Sequence, residues 1–295
     1  MGIFSKLFGD NNKEDAPTDN PSTPSTPADE EQADSISFML LYKELPMFDK
    51  PTLQKSLTDT FRDALDIQML LADEKTLMIN AKLEANELTV ACLTFSYPKQ
   101  ILEEILPICH FSEEDKSTFH QSEAHVLVSI KKNDTPIHLL FDTLYRVADC
   151  LIQQGNKVIG TVTEAGLTAF PLKSIQGLSG EREALIKEKA IPFWSWMAFT
   201  GGFVKYILDD TTIWYVTKGN HQFGLPELAY KGGYTEGNDT LILFKTLFSY
   251  MYSYEAKLAP GHTAEIGATN LKFSTLTEYA DIFMGKHGTL VVNRV

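Results

Sequence analysis

The sequence predicts an α+β protein, mostly antiparallel sheets with packed helices, preceded by a disordered N-terminal tail. Three observations predict it. Strand-like and helix-like runs alternate, but no helix regularly separates successive strands, which argues against a purely parallel sheet. Gly201-Gly202, Asp209-Asp210 and Gly219-Asn220 punctuate an aromatic and β-branched C-terminal half as hairpin turns do. Prolines and acids crowd into the first 34 residues, where large apolar side chains stop after Phe8.

The tail has two parts. Ile3, Phe4, Leu7 and Phe8 fall on one face of a short helix, so residues 1–9 form an apolar tip. Phe4, Leu7 and Phe8 are its candidate contacts with a partner, or with a membrane surface through weak peripheral contact at residues 3–8. Lys6 breaks the myristoylation pattern, and a run this short does not hold a helix alone. Residues 10–34 follow, with eight acids against Lys13 and four prolines. Without an aromatic or a branched aliphatic residue, that stretch buries too little to offset its ordering entropy and reads as a solvated tether.

The folded part divides into an N-terminal half, 35–175, and a C-terminal half, 190–295. Residues 36–43 are an apolar strand. Asp49-Lys50-Pro51 opens a helix with Leu53, Leu57, Phe61 and Ala64 on one face. Leu77-Met78-Ile79 and Leu88 to Phe95 read as strands joined by a turn at Ala85-Asn86-Glu87. Tyr97-Pro98 breaks the second, and 99–106 forms a short helix. Ala124, Val126, Val128 and Ile130 keep strand period. The strongest helix spans 136–154. Asp134 or Thr135 caps it, Pro136 suits its first turn, and Gly155 ends it. Lys157 to Thr163 follows as a strand, and 173–190 as a polar surface helix joining the halves.

In the second half, Phe193 to Thr200, Phe203 to Leu208, Thr211 to Thr217 and Leu225 to Tyr230 read as strands. Asn238-Asp239-Thr240 caps a helix carrying Leu241, Phe244, Phe248, Met251 and Tyr252. Residues 262–276 and 289–293 add edge strands. No internal repeat stands out.

Composition limits the function classes. The chain has 295 residues and a formal charge of −13, which disfavours a nucleic-acid grip. Cys92, Cys109 and Cys150 form no CxxC pair and read as reduced thiols in a cytoplasmic protein, with Cys109 the most exposed. Dinucleotide, phosphate-loop, zinc-protease and nucleophile-elbow signatures are missing, so neither cofactor nor metal is expected. Among seven histidines, His120 and His125 are five apart, a spacing that puts them on opposite faces of one strand. His262 and Glu265 lack a second histidine nearby.

The densest segment is 191–230. Trp194, Trp196 and Trp214 form an aromatic face, with His221, Phe223 and Glu227 at its rim, and this is the candidate binding surface. Core packing accounts for the same rings. Gly224 permits a positive φ, Pro226 marks a strand start, and Glu227 either accepts turn amides or lines a site.

This segment resembles the bacterial family catalogued as domain of unknown function 4261. The carrying residues are Ile191-Pro192-Phe193-Trp194, Trp214-Tyr215-Val216-Thr217 and Phe223-Gly224-Leu225-Pro226-Glu227-Leu228, then Tyr250, Tyr252 and Pro260-Gly261-His262-Thr263. Phe38 to Tyr42, Ser122 to Val128 and the 137–152 helix extend the resemblance over roughly 36–276. Gly219-Asn220-His221-Gln222 departs from the family's glycine before its FG motif. The resemblance implies a soluble bacterial protein and supplies no catalytic residues. Two functions are therefore expected. The first is a non-enzymatic binding module with a protein partner. The alternative is a hydrolase or metal-dependent enzyme using His125, His221, Glu227 or His262.

Overall fold

A computed structural model describes residues 35–61, 65–73, 76–83, 86–109, 111–131, 135–175, 202–208 and 212–295. The expected tip and tether, most of the expected polar connector, and the expected strand with Trp194 and Trp196 lie outside the described residues. The α+β class holds, with two mostly antiparallel sheets.

The apolar run at the start of the folded part is β1 (Ser35–Tyr42). Helix α1 (Lys50–Phe61) begins where the Thr52 amide donates to Asp49 Oδ2 at 2.9 Å, and it buries Leu53, Leu57 and Phe61. A meander follows: β2 (Leu65–Asp73), β3 (Thr76–Leu83) and β4 (Asn86–Leu93). Then come α2 (Lys99–Ile105), a 3-10 turn (Leu106–Ile108) and α3 (Glu113–Phe119). Strand β5 (Ala124–Lys131) inserts between β4 and β1, antiparallel to both. Helix α4 (Ile137–Ile152) leads to the hairpin β6 (Val158–Thr163) and β7 (Thr168–Pro171), and α5 (Leu172–Ile175) ends the half. The first sheet runs β2-β3-β4-β5-β1-β6-β7.

The second sheet starts with the hairpin β8 (Gly202–Ile207) and β9 (Ile213–Lys218). A 3-10 turn (Asn220–Phe223) leads to β10 (Glu227–Gly232), then α6 (Gly237–Ser253) and the hairpin β11 (Thr263–Ile266) and β12 (Thr269–Thr275). The one-turn helix α7 (Ala280–Phe283) precedes β13 (Thr289–Arg294), and the sheet runs β11-β12-β13-β10-β9-β8.

Strand alternation sorts the side chains. Even positions of β1 and β5, from Ile36 to Tyr42 and Ala124 to Ile130, face one core with Leu140, Phe141 and Leu144 of α4. Phe203, Ile213, Tyr215, Leu228 and Phe273 of the second sheet enter that same core with Phe244 and Phe248 of α6. The halves thus share an interior. Phe141 stacks on Phe223 with centroids 5.2 Å apart, and Phe223 also meets Phe248 and Tyr252 edge-on. The opposite face of the second sheet packs Val204, Trp214, Val216, Ala229 and Val291 beneath Phe283.

Several expectations are corrected. Strand β13 is not an edge: it sits between β12 and β10 and makes a parallel pair with β10. Helix α6 begins at Gly237 after Glu236, so Asn238, Asp239 and Thr240 lie inside its first turn. Pro136 is itself the N-cap of α4, and the Thr135 hydroxyl serves Asn86 Nδ2 at 2.7 Å instead. Asn86 and Glu87 belong to β4 rather than to a turn. His120 ends α3, so it shares no strand with His125. Cys109 is buried, not exposed. Strands β2 and β7 and helix α3 were not among the expected elements. The Ser112 cap, whose Oγ accepts the Asp115 amide at 3.2 Å, was the available signal for α3.

Candidate functional site

The end of β9 and the start of β10 are tied by one buried carboxylate. Gly219 (φ 97°) and Gly224 (φ 72°) take left-handed conformations that bracket the 3-10 turn. That turn folds back so that the Leu225 amide donates to Asn220 O at 3.2 Å. Pro226 ends it, and Glu227 enters β10 with only 2% of its surface exposed. Its Oε1 accepts the Gly219 amide at 3.0 Å, and its Oε2 accepts the Thr217 hydroxyl at 2.8 Å.

The direction of the Thr217 bond follows from counting. Its Oγ1 already accepts Asn220 Nδ2 at 3.0 Å and the Leu228 amide at 2.8 Å. Both lone pairs are used, so its proton goes to Glu227. Asn220 Nδ2 also donates to Pro226 O at 2.9 Å. The sequence reading allowed Glu227 to accept turn amides or to line a site. The Gly219 contact is the first of these.

Two further polar groups flank the carboxylate. His221, about one third exposed, has Nδ1 3.6 Å from Glu227 Oε1. Lys218 is half-buried and donates to Ile282 O at 2.8 Å. Burial holds its ammonium below the usual lysine range, against an opposing pull from Glu227. Lys218 escaped the sequence reading, although a lysine one residue before a glycine turn and nine before a buried acid was the signal for it. The loop before β13 closes the other side: Gly285 packs on the Glu227 side chain, and its amide donates to Thr289 Oγ1 at 3.0 Å.

Trp214 lies on the outer face of β9, 3% exposed, with its ring against Phe283 and Tyr279 and Lys231 over it at 5.8 Å. Phe223 serves the junction between α4 and α6 described above. Trp194 and Trp196 cannot be placed, lying outside the described residues, as do Phe4, Leu7 and Phe8.

The four polar groups of the enzyme alternative do not share a strand end. His221 and Glu227 meet. His125 is on β5 in the first sheet, its Nδ1 donating to Phe95 O at 3.0 Å and its ring edge-on to Phe95 and Tyr97. His262 precedes β11, three strands from β10, or about 14 Å by strand spacing. Among the described residues, no group of three or more His, Cys, Asp and Glu side chains is placed to hold a metal ion.

Burial of His125 pulls its imidazole below the ordinary value, opposed by the Phe95 bond. As pH falls below about 6.5, the unfolded chain takes up a proton that the folded one resists. His125 therefore contributes a loss of stability that grows from there toward its folded pKa, and none above. The His125→Asn variant is expected to show a shallower fall in melting temperature between about pH 7 and pH 5 than the parent. Parallel profiles would contradict the assignment.

The cysteines are quiet in the same sense. Burial pushes the Cys92 thiol up to about 11 and raises that of Cys109, which also accepts the Ala169 amide at 3.3 Å. Cys150 is buried on α4. A thiol reagent at neutral pH is expected to reach Cys109 and Cys150 only after denaturation, and the partly buried Cys92 slowly. Rapid native labelling of Cys109 would show that its pocket opens.

Fold and site together define a two-sheet α+β protein with an acid-pinned turn and an aromatic outer face. No family model, curated protein or solved structure matches the chain. Among the described residues, no helix is long and apolar enough to cross a membrane.

Proposed function

We propose that this chain is a cytoplasmic protein-binding module of the bacterial unknown-function family 4261, with α7 as its contact surface. The carrying observation is a strained turn that displays apolar side chains. Tyr279 adopts a left-handed conformation (φ 54°), which costs a non-glycine residue about 1–2 kcal/mol. Its carbonyl accepts the amides of Ile282 and Phe283, both at 3.0 Å, while Phe283 plugs the core beneath.

The result is a rigid step with Tyr279 39%, Ile282 38% and Met284 51% exposed within six consecutive residues. Lys231, paired with Glu278 at 2.9 Å, and Lys218 give it a polar rim. An apolar centre with a polar rim is the anatomy of a protein interface, and backbone strain collects where a surface is used. The free thiols suit the cytoplasm.

The enzyme alternative keeps one observation, the contact of His221 with Glu227. Against it, both Glu227 oxygens already serve the turn, and among the described residues no nucleophile bonds to it apart from Thr217, whose proton is committed to it.

The test is affinity capture from the native cell with the full chain and with Ile282→Asp, followed by rebinding of the purified partner. The expected result is one partner recovered near equimolar amounts, bound at least about tenfold more weakly by the variant, with melting temperature unchanged. Equal binding by both chains removes α7 from the interface, and recovery of no partner removes the reading.

A further inference from the structure

Outside the second sheet, a cleft lies between α2, the 3-10 turn and α3, with a volume of about 500 Å3. Its floor is Leu102, Leu106 and Pro107, and its rim carries Glu103, Glu113 and His120. That volume falls in the roughly 300–1,000 Å3 range of ligand sites. Its length is limited by its walls. Each helix has seven residues and so runs about 10 Å. Such a groove holds about three extended residues and one long side chain, not a partner helix of several turns.

The charge of the walls selects the side chain. Among the described residues, Lys116 is the one lysine or arginine lining the cleft, and its Nζ already sits 2.9 Å from Glu113 Oε1. That lysine is largely covered, with 14% of its side chain exposed, whereas Glu113 is 88% exposed and Glu103 56%. Glu103 has a solvent-facing partner, Lys99, at 3.5 Å, a surface pairing that a better-placed cation displaces at little cost. Two accessible carboxylates over an apolar floor match a side chain with an aliphatic stem and a cationic head. The chain's charge of −13 steers such a partner toward it.

We propose that this cleft docks a lysine- or arginine-bearing segment of a protein partner. The stem lies on the exposed Pro107, over the nearly covered Leu102 and Leu106, and the head sits between Glu103 and Glu113. The proposal rests on the binding-module reading only in taking a protein as the ligand. It uses a different surface from α7.

The probe is a fluorescein-labelled octapeptide with two arginines in a leucine–serine framework, followed by fluorescence anisotropy against the full chain. Saturable binding is expected, weakening about fivefold or more between about 50 and about 300 mM salt. The double variant Glu103→Gln/Glu113→Gln is expected to bind at least about tenfold more weakly at unchanged melting temperature. A peptide with glutamates in place of the arginines is expected not to bind. The control pair Glu44→Gln/Glu87→Gln removes two exposed acids away from both surfaces and is expected to bind as the parent does.

Three outcomes overturn the proposal: absence of saturable binding, unchanged binding by the double variant, or equal weakening by the control pair. Each leaves the α7 reading standing if Ile282→Asp still loses its partner. Conversely, an α7 surface that binds nothing leaves arginine-peptide binding at Glu103 and Glu113 intact.

Discussion

Replacing Gly202 with alanine is expected to lower the melting temperature by about 6–12 °C, one of two sharp stability effects. Gly202 opens β8, opposite Lys218 of β9. A Cβ at this position would overlap the carbonyl oxygen of Gly166, in the turn between β6 and β7. Here the edge of the second sheet meets a hairpin of the first, backbone against backbone. A flexible side chain could swing away, but a carbonyl held in a tight turn cannot. Overpacking of this kind costs about 3 kcal/mol, and a chain of this size loses about 2–4 °C for each. Gly202→Val should be worse. Gly233→Ala is the control, since a Cβ there meets nothing within 4 Å. Thermal unfolding of the three variants decides the matter, and a Gly202→Ala chain as stable as Gly233→Ala would show that the two halves do not touch at this point.

Glu227→Ala is the second. It strips the acceptors from the Gly219 amide and the Thr217 hydroxyl, both inside the fold. Thr217 cannot simply turn elsewhere, because its oxygen is held by Asn220 and the Leu228 amide. A buried donor left without an acceptor costs about 1–3 kcal/mol, so the variant is expected to lose about 3–4 kcal/mol and about 6–15 °C. Glu227→Gln keeps one carbonyl oxygen and is expected to lose about half of that. The pair also speaks to chemistry. A carboxylate that pins a turn shows its loss in stability first. A carboxylate working on a substrate would leave Glu227→Gln folded and stable but inactive. Equal melting temperatures for parent and Glu227→Ala would remove the pinning role.

Much of the architecture was legible because local rules and tertiary packing agree. In α4, the apolar positions Leu140, Phe141, Leu144, Val147, Ala148 and Leu151 are all buried, as their three-and-four spacing requires. The alternation of Ala124 to Ile130 survives as the core-facing row of β5. Where the reading failed, a partner distant in sequence overrode a local preference. Thr135 makes a good cap in isolation, but Asn86 on β4 takes its hydroxyl. The β13 run looks like any terminal strand, and its central place follows from a parallel pairing with β10 across more than fifty residues. Cys109 precedes a polar-looking loop, but Thr168 and Ala169 of β7 close over it.

The candidate site divides in the same way. Gly224 and Pro226 announced a turn, and accepting its amides was one of two roles open to Glu227. Its aromatic neighbours announced nothing about which way they face. Trp214 went to the outer layer under Phe283, and Phe223 to the junction of the two halves. Tyr279, Ile282 and Met284 drew no attention, because three apolar residues in a short irregular stretch carry no period.

By itself the sequence determined what depends on neighbours along the chain: which runs are strands, where α4 and α6 bury their faces, and where the chain must turn. The tertiary structure alone decided the strand order, the common interior of the two sheets, and which carboxylates reach solvent and which are locked inside. The physical reason is one of range. Periodicity and turn chemistry act over a few residues, whereas pairing across a sheet and the sharing of a buried proton join groups whose separation in sequence carries no trace of their meeting.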